Sequence, residues 1–324
     1  MQKRYIIVGA LVIIFILLGI FSYNSYQKGI DNYPYETTKF SNENQNALYD
    51  EKENQYEKNN HDVEERYDIE TKGCTGSGPV TLTVSPRKIE DIGLFAPMGL
   101  MLGDHVTPID HAYFYPKNWK MDVTSAELKD VFVPADGVIT TIQRMPDYFA
   151  TTKQADLQDY RIILHHTCTF YTIYIHLNLL SPKIKEIVTN INPSESKKVA
   201  IEMKAGELLG RANAFDFSVH NQDVTLTGFV TPKNYEGESW KIHTIDPLQH
   251  FEETIKSQIL EKNPRTVEPR GGKIDYDIDG KLIGNWFLEG SNGYAGIETQ
   301  MNYWTSHLAF APNAYDPAHF IISM

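Results

Sequence analysis

Residues 5–27 carry no charge, and the centre of that run, IIVGALVIIFILLGIF, is almost wholly aliphatic or aromatic. At about 1.5 Å of rise per residue, a helix needs about 20 residues to cross roughly 30 Å of hydrocarbon, and residues 5–23 come close to that. Lys3 and Arg4 precede the run, which puts that side in the cytoplasm and the bulk of the chain outside it. The run is longer than a signal-peptide core and no A-x-A-like site follows, so residues 1–23 read as an uncleaved single-pass anchor in membrane lipid. No Cys stands just after it to take a lipid. Residues 24–72 then lose all apolar periodicity. They hold 12 acidic and 6 basic residues, and so polar a stretch reads as a disordered acidic tether, with short helical pieces conceivable only at 51–66.

Alternation characteristic of strands starts at residues 80–84, VTLTV, closed by Pro86. Residues 131–134, the Ala135-Asp136-Gly137 turn and residues 138–142 read as strand, tight turn, strand. RIILHH (161–166) and YTIYIHL (171–177) form a meander; a turn at 204–210 leads into another strand, and AFDFSVH (214–220) follows. Strands at this spacing, with no long helical pattern between them, predict a mainly β fold, an antiparallel sandwich or flattened barrel. One helix is expected to close it. Asp246 is its N-cap, Pro247 its first residue, Gln249 completes a capping box, and Phe251, Ile255 and Ile259 share a face before Asn263-Pro264. The β domain so defined spans 73–263. A smaller C-terminal β region (264–324) is expected beyond it from KIDYDID, KLIGNWFLE, HLAFAP and FIISM, its last apolar run pointing to a truncated end.

Charge narrows the partners. The net charge is −12, and no cluster of Lys and Arg offers the counterion-releasing surface that nucleic acid requires. Cys74 and Cys168 are the two cysteines; they allow one bridge in an oxidising compartment, which the sequence leaves open.

Between Gly103 and Pro116 the chain reads GDHVTPIDHAYFYP, with His105, Asp110 and His111 within seven positions. Imidazole and carboxylate are ordinary ligands of divalent metals. With the VFVPADGVI turn, the Tyr174-Ile175-His176-Leu177 strand and Lys204, Gly206 and Gly210, this stretch resembles the lysostaphin-type zinc peptidases, extracytoplasmic β-sheet enzymes that cut peptide cross-links of bacterial cell walls. The resemblance covers about residues 99–251. It implies that His105 and Asp110 are zinc ligands and that His176 holds the attacking water or the oxyanion. A His-x-His pair should follow, its first member catalytic and its second the third zinc ligand. Here Ala214 and Asp216 occupy those places, and four residues rather than three separate His105 from Asp110. His220 cannot substitute, because four strand residues at about 3.3 Å each put it roughly 13 Å from Asp216. A rearranged set of His105 or His111, Asp110 and Asp216 has one imidazole and two carboxylates, tolerable for zinc and open to Mn or Ca. His165 and His166 point to opposite faces of their strand and read as structural.

Three functions follow. The leading one is a degenerate peptidase-like domain, anchored in the membrane, that binds a cell-envelope polymer or envelope protein and holds no metal. The second is a working metallohydrolase using His105, Asp110, His111 and Asp216 with His176 as catalytic helper. The third is a lipoyl-like hybrid-barrel adaptor of a membrane complex, which needs neither His105 nor His176 and is indifferent to Asp110→Ala.

Overall fold

The computed structural model describes residues 70–121, 123–146, 157–297 and 303–324. The expected anchor at 1–23 and all but the end of the tether lie outside them. Among the described residues no helix is long and apolar enough to cross a membrane.

The strands, in chain order, are β1 (Ile92–Ala96), β2 (Ala112–Pro116), β3 (Lys129–Phe132), β4 (Gly137–Arg144), β5 (Tyr160–His165), β6 (Phe170–Leu177), β7 (Leu179–Leu180), β8 (Ser196–Met203), β9 (Leu208–Ala212), β10 (Phe215–Asn221), β11 (Thr244–Ile245), β12 (Gly284–Phe287), β13 (His307–Pro312) and β14 (Phe320–Ser323). The large antiparallel sheet runs β1-β2-β10-β6-β5-β4-β8, with β11 on β10, and a three-stranded sheet β3-β9-β7 accompanies it. Its end strands β1 and β8 are not neighbours, so the expected mainly β antiparallel fold is realised as open sheets, and no closed barrel forms. A third sheet, β12-β13-β14, comes from the C-terminal region.

Alternation explains the layering. In β10, Phe215, Phe217 and Val219 belong to the main core with Phe114 of β2, Tyr174 of β6 and Val131 and Leu209 from the small sheet. The intervening Asp216, Ser218 and His220 point the other way, as the two-residue period of a strand requires. All seven β10 residues are nevertheless buried, so both faces of this strand are covered. Arg87 ties the layers together. Its guanidinium, fully buried, donates to the carbonyls of Phe114, Ala212 and Asn213 and lies over the Phe215 ring. Burial lowers its pKa to about 9.

Several sequence expectations change in the fold. Residues 80–84 make no strand: Leu82 forms an isolated bridge with Phe251, and Thr83 and Val84 donate to the Pro134 carbonyl. The segments on either side of Asp136-Gly137 are strands but not a hairpin, because β3 pairs with β9 whereas β4 pairs with β5 and β8. The closing helix is broken. Asp246 accepts from the Leu248 amide and caps a 3-10 turn, Pro247–Gln249, and the bridge at Phe251 then intervenes. A short helix, α1 (Pro182–Ile187), precedes β8, and the closing helix itself is α2 (Glu253–Leu260), which contributes Ile259 to the core. KIDYDID is not a strand; Asp275 and Asp277 instead accept from the Gly228, Val230 and Asn285 amides. β8, which the sequence reading missed, lies at the end of the sheet and alternates exposed residues with half-buried ones and, at Ile201 and Met203, buried ones.

Cys74 and Cys168 form a disulfide across 94 residues, tying the segment before β1 to the turn between β5 and β6. Closing a loop of that length removes much denatured-chain entropy. The Cys74→Ala/Cys168→Ala variant is expected to lose about 2–4 kcal/mol in urea unfolding; an unchanged midpoint would show that the bridge constrains nothing the fold does not already hold.

Candidate functional site

The polar face of β10 is where the predicted residues meet. Register carries them there: Asp216 lies opposite Tyr113 on one neighbour and Ile175 on the other, and His220 lies opposite Tyr171. Asp110 and His111 arrive from the loop before β2 and are buried. His111 bridges two carboxylates, with Nδ1 3.2 Å from Asp110 Oδ1 and Nε2 3.1 Å from Asp216 Oδ2. The Tyr113 hydroxyl also lies 3.0 Å from Nε2.

His176 reaches the cluster through a local irregularity. The β5–β6 register shifts between Tyr160 and Ile162, where β6 carries the extra residue, and His176 in this bulge adopts φ 69°, in the left-handed region that residues other than Gly rarely occupy. The kink turns its ring so that Nδ1 donates to Asp159 Oδ2 at 2.7 Å while Nε2 faces Asp216 Oδ2 at 3.6 Å. Burial alone would lower its pKa, but the charges of Asp159 and Asp216 and the hydrogen bond to Asp159 outweigh that and raise it to about 9. His176 is therefore a cation at neutral pH, held between two carboxylates.

On the other side, Asp110 meets the segment Pro232–His243, a run of 3-10 turns. Trp240 Nε1 donates to Asp110 Oδ2 at 3.1 Å, and Lys241 Nζ lies 3.1 Å from Asp110 Oδ1 and 3.2 Å from Glu238 Oε2. Burial works to raise Asp110, yet Lys241 and the His111 bond more than offset it and hold the carboxyl well below the usual range. Asp216 has weaker company, and burial, opposed in part by His111 and His176, raises its pKa. His105 stands edge-on to His111 with ring centroids 5.5 Å apart. Burial, then the nearby His111 and Lys241, lowers its pKa to about 3, so it is neutral. The result is a chain of alternating groups: Asp159, His176, Asp216, His111, Asp110, Lys241, Glu238.

These contacts decide whether a metal fits. A zinc centre takes three or four lone pairs from the protein. Both Asp110 oxygens are already occupied by Trp240, Lys241 and His111, and both His111 nitrogens face carboxylates. The buried polar atoms left without a partner here are His105 Nδ1, Asp216 Oδ1 and Asp159 Oδ1. Among the described residues no group of three or more His, Cys, Asp or Glu is arranged to hold an ion. The expected set of His105, Asp110, His111 and Asp216 comes together here as an ion-pair and hydrogen-bond network. His220 lies apart, as its strand spacing requires; it accepts from the Ser218 hydroxyl at Nε2 (2.7 Å) and donates from Nδ1 to the Trp240 carbonyl. His165 stacks on Tyr171, and His166 bonds to the Asp136 carbonyl and Thr172, both structural.

Tyr113, Asp159, Glu238, Trp240 and Lys241 are the members of the site that sequence reasoning did not find. Asp159 had one available signal, a carboxylate directly ahead of a strand that pairs with the His176 strand. Trp240 and Lys241 sit in NYEGESWKIHT, which carries no motif.

No protein-family model matches the chain, and the comparison with curated proteins finds no match. Solved structures that resemble part of the fold include the solution structure of lysostaphin (TM-score 0.26, 14% identity, 45% of this chain and 49% of that one). A SpoIIQ–SpoIIIAH complex is similar at TM-score 0.28 and 12% identity over 43% of this chain and 92% of that one. A zinc-containing peptidase from Vibrio cholerae is similar at TM-score 0.25 and 13% identity over 45% and 38%. The chain thus spans about half the length of lysostaphin.

Because His176 is charged in the fold up to about pH 9 but titrates near 6.5 when unperturbed, its ion pairs contribute fully below about pH 6.5. That contribution declines as the pH rises through 9. Asp159→Asn is expected to flatten this part of the stability profile and to move the His176 NMR titration midpoint down toward 6.5; a midpoint unchanged by the substitution would refute the pairing.

Proposed function

We propose that this protein is a membrane-anchored, extracytoplasmic binding protein built on a degenerate lysostaphin-type domain, in which zinc proteolysis has given way to attachment of an envelope protein. The observation that carries this reading is the pair Ala214 and Asp216 at the head of β10. The first supplies no imidazole to shuttle a proton, and the second turns Oδ2 toward His111 and His176. Metal-assisted hydrolysis needs a bound ion to make the nucleophile and a neighbouring group to move the proton. His176, as an imidazolium between carboxylates, is no general base at neutral pH.

Two further features support the reading. Disulfides persist in oxidising compartments, and Cys74–Cys168 fits a domain held outside the cytoplasm by the run at residues 5–23. The C-terminal sheet presents an apolar outer face: Trp286 pairs across the strands with Leu308, Phe310 with Ile322 and Pro312 with Phe320. Trp286, Phe320 and Ile322 are exposed at 45%, 58% and 68%. Contiguous exposed apolar surface of this kind marks sites of protein contact, and we take an envelope protein as the partner.

The full chain, supplied with zinc and a cell-wall cross-link peptide, is expected to release no product above an Asp110→Asn control, and in membranes to cross-link to a protein partner that Trp286→Glu/Ile322→Glu abolishes. Cleavage that depends on Asp110 would establish the metallohydrolase instead.

A further inference from the structure

Lys241 is among the most fully surrounded cations in the described residues. It is buried at 4% exposure, with its ammonium against Asp110 and Glu238 and 4.1 Å from the centroid of the Tyr294 ring. Removing such a charge from water costs several kcal/mol, so it survives only where carboxylates and an aromatic face repay it. The segment that carries it is fixed independently. Trp240 packs on Ile163, Tyr171 and Ile173 across β5 and β6, its indole binds the second Asp110 oxygen, and its carbonyl accepts from His220.

We infer that the Lys241 ammonium is a built-in cation, held by Trp240 over the polar face of β10, that neutralises Asp110 in place of a metal ion. The inference rests on the reading that the centre holds no metal, and it names what replaced one. An ammonium offers three N–H donors and takes no lone pairs from imidazole. It therefore compensates Asp110 with no ligand from His105, whose Nδ1 is unpartnered, and with Ala214 in place of an imidazole. Taking the ammonium away leaves Asp110 and Asp216 as neighbouring buried carboxylates beside His105 and His111, which is a set that a divalent cation stabilises.

The test compares the full chain in detergent with Lys241→Met, Lys241→Arg and Asp110→Asn/Lys241→Met, reading zinc binding by calorimetry and melting temperature with and without zinc. Wild type and Lys241→Arg are expected to take up no zinc and to melt unchanged. Lys241→Met is expected to melt lower and to regain stability with rising zinc at about one ion per chain, since a ligand that binds only the folded state raises the melting point by mass action. A folded Lys241→Met protein indifferent to zinc overturns the inference and leaves the degenerate reading standing. If Lys241→Met does not fold, the double variant decides: recovery of folding supports the inference, and none overturns it. Stoichiometric zinc on the wild type overturns both.

Discussion

A strand covered on both faces must have its buried charge compensated, and β10 carries Asp216 beside Ser218 and His220 on one of those faces. No water layer is available to dissolve the Asp216 charge, and an unpaired carboxylate in such a place would cost several kcal/mol. Its arrangement with His111 and His176 is what makes the strand tenable. From there the demand passes outward, because His111 draws in Asp110, which in turn requires Lys241. The Pro232–His243 segment, seated by Trp240 on β5 and β6, thereby also completes the charge balance that begins at one carboxylate in the middle of a sheet.

The same logic separates geometry from chemistry. Loop and strands bring His105, Asp110, His111, His176 and Asp216 into one neighbourhood. What differs is the direction in which the lone pairs are spent. An imidazole that donates to a carboxylate and one that coordinates a metal occupy nearly the same space, yet they are alternatives, and here the donors have won at Asp110 and His111. The left-handed backbone at His176, which costs of order 1 kcal/mol or more, is retained for a ring that serves charge balance.

Much of this was legible in the sequence where the pattern was local. β5, β6, β10 and β13 declare themselves by alternation, and the histidines and aspartates of the centre stand in recognisable order. Local reading failed where pairing was remote. The PADG turn looks like the tip of a hairpin, but its two flanking strands find partners in different sheets, because the approach of β9 and of β8 is decided far along the chain. The helix after Asp246 has sound caps and a good apolar face, and is still interrupted because the Phe251 backbone bridges to Leu82. Trp240 lies 130 residues from the Asp110 it binds, and nothing in the residues around it announces that partner.

The alternating sequence from Asp159 to Glu238 has a consequence for inheritance. Each member is balanced by the next, so a substitution that removes one charge leaves its neighbour stranded, and a lineage can cross that barrier only by changing two members together or by losing much of the fold's margin on the way. Asp110 and Lys241 are therefore coupled as a unit: replacing either alone strands a buried charge, whereas exchanging both for a neutral pair does not, although the two positions lie far apart along the chain.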